Sequence, residues 1–257
     1  MDPKQPRRYW LTGAGNGIGA SLAEALLETG AHLAVSSGRV RSCEALSLRY
    51  PGQVLTLPGN LTDSQTVREL GERIARQWGS LDTLIINAGT AEYIDGQTAD
   101  HTMIEHLLRS NLLAASYCIE AAVPFLRAGS APHLVGIASP ATYLPATATE
   151  ADGEGMRYLF ETARADLAAQ DIDVTLVHPG YDIPPPGHGD CFSTPVRWTP
   201  DEAARHVLEH LAEHPPELAL PVASMTALWP LSSSVETLPA DTDARQAKND
   251  DPIKGRR

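Results

Sequence analysis

Short apolar runs and longer amphipathic stretches alternate along most of this chain. The runs Tyr9–Thr12, His32–Ser36, Val54–Leu57, Leu84–Asn87, His133–Ala138 and Asp173–His178 read as strands. Between them lie stretches with helical spacing. Gly17–Thr29 carries Ile18, Leu22, Ala25 and Leu26 on one face, and Ser64–Trp78 carries Val67, Leu70 and Ile74. Cys43–Tyr50 reads as a short helix, and longer ones are predicted near Met103–Leu126, near Gly155–Ala169 and over Pro200–Glu213. A strand-then-helix rhythm of this kind predicts βα units on a parallel sheet: a single doubly wound α/β domain over residues 1–231. No strand is predicted after Asp173–His178; the apolar stretch Leu218–Leu231 is broken by Pro221 and Pro230. From Ser232 to Arg257 the chain is polar, charged in both signs and without periodicity, and is expected to be a disordered tail.

Composition narrows the class. A chain of 257 residues is long enough to bury roughly three quarters of its unfolded surface without a disulfide or metal staple. Cys43, Cys118 and Cys191 are scattered and odd in number, as in a reducing compartment, and the N-terminus MDPKQPRRYW lacks an apolar signal core; a cytoplasmic protein is expected. No apolar run is long enough to span a membrane. A net charge of −12 opposes non-specific binding to nucleic acid.

The first strand runs directly into TGAGNGIG, which places Gly13, Gly15, Gly17 and Gly19 between a strand and a helix. In that context glycines let the backbone turn sharply and approach a pyrophosphate, while the helix N-terminus offers N–H groups and a positive dipole end. Around this turn the chain resembles the short-chain dehydrogenase/reductase family, from about Arg8 to Ala212. Thr12-Gly13 with Gly17 and Gly19 resembles that family's TGxxxGxG turn, and Asn87-Ala88-Gly89 its NNAG element. Asn60-Leu61-Thr62-Asp63 is similar to the D-[VL]-T-D element after the third strand, and Pro179-Gly180 to the PG after the sixth. Asn111 and Ser139 match the helix asparagine and the active-site serine. The resemblance implies a Rossmann-like fold and a dinucleotide held by Gly13, Asn16, Gly17, Ile18, Gly19, Asn60, Leu61, Asn87, Ala88, Gly89, Pro179 and Gly180. It also implies a small-molecule ligand and a dimer or tetramer built on the helices near Met103–Leu126 and Gly155–Ala169.

NAD-specific members of the family usually carry an acid at the end of the second strand, for the ribose 2′-hydroxyl. Here the residues are Ser36-Ser37-Gly38-Arg39, with Arg41 beyond. Arg39 suits a 2′-phosphate and Ser37 can donate to it, so NADP is expected rather than NAD. At the adenine, Asn60 replaces the family's aspartate, and its amide oxygen is expected to accept from the adenine amino group.

The chain departs from the family at its chemistry. At the offsets from Ser139 where the family carries a tyrosine and, one helical turn later, a lysine, this chain has Asp152 and Met156. Methionine has neither proton nor charge to offer. An ordinary aspartate is ionised at neutral pH, and raising its pKa by about three units costs roughly 4 kcal/mol. Losing acid–base assistance costs about 10²–10⁴ in rate. Pro184 stands where many members place a threonine for the nicotinamide amide. These departures predict an NADP(H)-binding protein with impaired or absent carbonyl reduction, acting as a binding, regulatory or partner subunit, alone or with an active relative. One alternative is an active reductase of a carbonyl or activated C=C bond using Asp152, Tyr143 or water as proton donor; another is a scaffold that binds no nucleotide and pairs with an active relative. Tyr158, two positions past Met156, is expected to face away.

Two other constellations have less to offer. His206-Val207-Leu208-Glu209-His210 spells HxxEH, with His214 extending the same face. Ala204, Val207, Leu208 and Leu211 are the expected buried stripe there, which puts the three histidines on the wet side and predicts no metal. His188-Gly189-Asp190-Cys191 and the surrounding Tyr181–Trp198 stretch read as a loop over the substrate pocket, with Phe192 and Trp198 as apolar contributors.

Overall fold

The computed structural model describes residues 6–37, 40–88, 101–138, 155–180 and 198–221. Its strands are β1 (Arg8–Thr12), β2 (His32–Ser36), β3 (Val54–Thr56), β4 (Thr83–Ala88), β5 (His133–Ala138), β6 (Asp173–Gly180) and β7 (Glu217–Pro221). Its helices are α1 (Gly17–Glu28), α2 (Val40–Arg49), α3 (Ser64–Trp78), α4 (His101–Leu126), α5 (Gly155–Ala168) and α6 (Pro200–Leu211). The strands form a seven-stranded sheet in the order β3-β2-β1-β4-β5-β6-β7, and every pairing is parallel. This is a doubly wound α/β fold whose strand order reverses between β1 and β4, where such sheets open a crevice at their carboxyl edge.

Each face of the sheet carries its own core. On one, Ile18, Leu22 and Leu26 of α1 meet Leu11, Val35, Val135 and Val177 of the strands and Ala204 and Val207 of α6. On the other, Val67, Leu70 and Ile74 of α3 join Trp10, Leu84, Leu134 and Phe160 with Ala115 and Ala122 of α4. Burying each such aliphatic or aromatic side chain contributes about 1.5–3 kcal/mol relative to exposure. Gly136 in β5 is where α5 comes closest: a Cβ there would lie 2.2 Å from the Phe160 ring. Strand 5 therefore gives up a side chain where the far end of the Phe160 ring meets the sheet.

Caps end the helices as their sequences dictate. Asp63 accepts from the Thr66 amide to start α3, and Gly79 ends that helix in the left-handed region, φ 76°. Thr199 and Glu202 form a reciprocal capping box ahead of α6, with Pro200 in its first turn.

Two sequence expectations are corrected. Glu217–Pro221, which was not predicted as a strand, extends β6 on its outer side as β7, with alternating exposed and buried residues that place Leu218 and Leu220 inward. Its pairing also lengthens β6 past His178 to Gly180. The buried stripe of α6 is Ala203, Ala204, Val207 and Leu211, with Leu208 only partly buried. The α6 histidines are half-buried, not on a wet face: His206 packs between Trp198 and His210, with ring centroids 4.6 and 4.3 Å away.

His214 belongs to a polar cluster at the amino edge of the sheet. Its ring stacks on that of His133 at 4.0 Å, and its Nδ1 lies 2.7 Å from Asp173 Oδ2. His133 Nε2 lies 2.8 Å from the Thr175 hydroxyl, whose own proton goes to the Pro215 carbonyl. Because that hydroxyl has one proton to give, His133 must be the donor in their bond, which places a proton on Nε2. No group of histidines, cysteines and acids suited to a metal occurs among the described residues.

Candidate functional site

Those sequence-predicted cofactor residues that the structure describes lie along the carboxyl edge of the sheet, on both sides of the reversal point. Gly13, φ 68°, leaves β1 in a conformation that disfavours a side chain, and its amide donates to the Ser36 carbonyl at the end of β2, 2.8 Å. Gly17, φ 51°, repeats that conformation at the first residue of α1. Gly19 brings the helix against the turn: a Cβ on it would lie 2.0 Å from the Gly13 carbonyl and 2.6 Å from the Asn87 amide nitrogen. Asn87, on β4, holds the turn from across the reversal point. Its Nδ2 donates to the Gly13 carbonyl at 3.1 Å and its backbone amide to the Thr12 hydroxyl at 3.1 Å. The carboxamide Oδ1 of Asn87 is buried and accepts no hydrogen bond from the described residues.

Helix 1 differs from its neighbours in its leading turn. Asn16 occupies the N-cap position in extended conformation, but its side chain makes no capping bond, and no acid lies in the first turn. Asp63 and Thr199 do cap α3 and α6. The amides at the start of α1 thus lack the side-chain acceptor that the other two helices supply for themselves, and the turn fits a phosphate anion there. This uncapped terminus and the orphaned Asn87 oxygen suit the phosphate side of a dinucleotide.

Along the edge from this turn lie the ends of β2 and β3. Ser36 is fully buried and its hydroxyl accepts from the Trp10 indole N–H at 2.9 Å; Ser37 is 8% exposed. The Leu57 amide still donates to the Val35 carbonyl, so the chain leaving β3 stays beside the end of β2. Asn60 follows, exposed, in an Asx turn: its Oδ1 accepts from the Thr62 amide at 3.0 Å and from the Thr62 hydroxyl at 2.8 Å. The backbone amide can only donate, so the oxygen of the carboxamide is the atom facing Thr62. The acceptor assigned to adenine from sequence is thus already engaged within its own turn. Leu61 is partly buried beside it.

On the other side of the reversal point, Ala88 ends β4 opposite Ala138 of β5, and Pro179 and Gly180 end β6 opposite Leu220 and Pro221. Gly155 opens α5 against Leu112, where a Cβ would lie 2.8 Å from Leu112 Cδ1. That contact puts the turn bearing Met156 beside the turn bearing Asn111, which is half-buried. Met156 itself is 1% exposed and belongs to the apolar cluster with Phe160, Ala138 and Leu176. Tyr158 is 71% exposed on the opposite side of α5. Cys118 of α4 is buried, and burial pushes its thiol up to about 12, which leaves it inert. The remaining sequence candidates Ser139, Asp152, Tyr143, Arg39 and Gly89, the Tyr181–Arg197 part of the loop with Pro184, His188, Cys191 and Phe192, and the 232–257 tail lie outside the described residues.

This chain belongs to the short-chain dehydrogenase family, whose model, described as short chain dehydrogenase, matches residues 9–182. Among its relatives is an uncharacterized oxidoreductase of Mycobacterium tuberculosis, 30% identical over 187 residues that cover 68% of this chain and 73% of the relative. A cis-4-hydroxycyclohexanecarboxylate dehydrogenase of Sinomonas cyclohexanicum is 30% identical over 223 residues, 84% of this chain and 88% of its own. Among solved structures, a short-chain dehydrogenase from Streptomyces avermitilis superposes with a TM-score of 0.67 at 21% identity, over 84% of this chain and 89% of that one. A Pseudomonas aeruginosa NADP complex superposes with a TM-score of 0.57 at 24% identity, over 68% and 72%, and like the first testifies to the fold alone. Among the described residues no helix is long and apolar enough to cross a membrane.

Proposed function

We propose that this chain is a divergent short-chain dehydrogenase that binds NADP(H) at the β1–α1 turn and lacks the family's proton relay, so that it works as a binding, regulatory or partner subunit. The observation that carries the binding half is the uncapped, acid-free leading turn of α1, packed through Gly19 against a turn that Asn87 holds. Gly13, Asn16, Gly17, Ile18 and Gly19 hold the pyrophosphate in this reading. Ser37 and Arg39 favour the 2′-phosphate, and Asn87, Ala88, Gly89, Pro179 and Gly180 line the remainder. A bound nicotinamide would supply or receive hydride. What the chain lacks is the group that moves the accompanying proton.

Met156 supports the second half. A side chain 1% exposed in an apolar cluster holds no cation and binds no ribose hydroxyl. Ser139 and Asn111 remain to steady an oxygen or a water, and Asp152 stands at the tyrosine position. In this reading the chain pairs with a second copy or with an active relative. The test is titration with NADPH and NADH, followed by a turnover screen with NADPH over carbonyl and enone substrates. NADPH binding tighter than NADH binding, without turnover, is expected. Carbonyl reduction at ordinary enzyme rates, abolished by Asp152→Ala, would overturn the loss of the relay.

A further inference from the structure

We infer that Asn60 turns the base subsite of this chain into a hydrogen-bond donor, so that it binds a dinucleotide carrying a 6-oxo purine at least as tightly as one carrying the 6-amino purine. The inference rests on the proposed nucleotide site and concerns only which base edge that site accepts.

The placement follows from the sheet. The phosphate-binding turn leaves β1, and its Gly13 amide is bonded to Ser36 at the end of β2. The chain leaving β3 is bonded to Val35 through Leu57. In a doubly wound sheet the pyrophosphate lies at the first turn and the ribose at the end of the second strand. A base continuing in the same direction reaches the end of the third, where Asn60 is exposed.

The polarity follows from counting lone pairs. A carboxamide has one oxygen with two acceptor positions and one nitrogen with two protons. Both positions on Asn60 Oδ1 are taken, one by the Thr62 amide and one by the Thr62 hydroxyl. Inverting the carboxamide would set its NH2 group against the Thr62 N–H, donor against donor. The turn is further fixed by the Asp63 amide, which donates to the Asn60 carbonyl at 3.2 Å, and by Asp63 capping α3. Only Nδ2 is left to meet a base. Opposite a 6-amino group this sets donor against donor. Opposite a 6-oxo group it sets donor against acceptor. A carboxylate at this position would behave otherwise, since one oxygen can hold Thr62 while the second accepts from an amino group.

The experiment compares two commercial probes, NADPH and its hypoxanthine counterpart, by fluorescence titration of the dihydronicotinamide on the full chain. Expected is a Kd for the hypoxanthine form no weaker than that for NADPH. In Asn60→Asp the ratio should move toward NADPH by about tenfold, the worth of one charge-assisted hydrogen bond. Thr62→Val, which releases one acceptor position, should move it the same way by less. Asn60 is exposed, so thermal unfolding should be unchanged in Asn60→Asp, and this confirms that the fold is intact. NADPH binding about tenfold tighter than the hypoxanthine form in the unaltered chain would overturn the inference and leave the nucleotide site standing. An unmoved ratio in Asn60→Asp would likewise overturn it. Binding of neither probe would overturn the nucleotide site as well.

Discussion

The Asn87 carboxamide reaches across the reversal point of the sheet to hold the Gly13 carbonyl at 3.1 Å. Strand 4 thereby supports a turn that belongs to strand 1, and Gly19 must stay bare for the two to meet. Gly19→Ala would drive a methyl into the Gly13 carbonyl and the Asn87 amide. Overpacking of this kind costs about 1–3 kcal/mol, measured as a shift in the urea midpoint at constant slope. Asn87→Ala leaves room but removes the support, and is expected to weaken NADPH binding by about tenfold or more in a fluorescence titration. Unchanged affinity in both variants would separate the turn from nucleotide binding.

The His133 cluster predicts acid sensitivity in a defined window. Burial chiefly, with the neighbouring His214 and Arg7, lowers the His133 imidazole from its ordinary 6.5 to about 3, against a smaller opposing pull from Asp173. The unfolded chain takes up a proton near pH 6.5 and the folded chain does not, so below that value protons favour unfolding. The contribution is fully present above pH 6.5 and is lost progressively as pH falls toward 3. At pH 5 the loss from this one group is about 2 kcal/mol. Half-buried His206, lowered by its burial and by His210, adds in the same direction. Urea unfolding at pH 7.5 and pH 5 should show this difference, and His133→Gln, which keeps a donor for Thr175, should shrink it. An equal difference in the variant would place the acid sensitivity elsewhere.

Met156 predicts what repair of the lysine alone would cost. Met156→Lys places an ammonium among Phe160, Ala138 and Leu176, and is expected to destabilise by about 2 kcal/mol or more, whereas Met156→Leu should cost under about 1.5 kcal/mol. If Asp152→Tyr is added, the lysine gains the tyrosine and a nicotinamide ribose as partners. The double variant should then recover part of that stability in the presence of NADPH and gain carbonyl reduction. Stability untouched by Met156→Lys would mean that the site already accommodates a cation.

Much of this fold is legible in the residues because its strands are short apolar runs and its helices have apolar faces that recur at helical spacing. His32–Ser36, Ser64–Trp78 and His133–Ala138 match their predicted bounds to the residue. β7 carries little sequence signal because Glu217–Pro221 alternates over only five residues, and the prolines around it mask so brief a pattern. The histidines of this stretch elude the sequence for a different reason: periodicity locates the helix's buried stripe but not the partners that flank it, here Trp198 against His206 and, just past the helix, His133 against His214. At the site, the glycine turn and Asn87 announce themselves by spacing. The occupied oxygen of Asn60 does not, since it depends on how the backbone of Thr62 curls back after β3.

The bare leading turn of α1 has a bearing on how discrimination is shared out. Asn16 does not cap those amides and no acid lies in that first turn, so at the proposed site an arriving pyrophosphate has no rival from the helix's own first turn to evict. On the proposed reading, choice among dinucleotides falls to the flanks, to the residues after strand 2 for the ribose and to Asn60 for the base. Exchanging those few side chains should re-address the protein to another coenzyme while its anchor stays as it is.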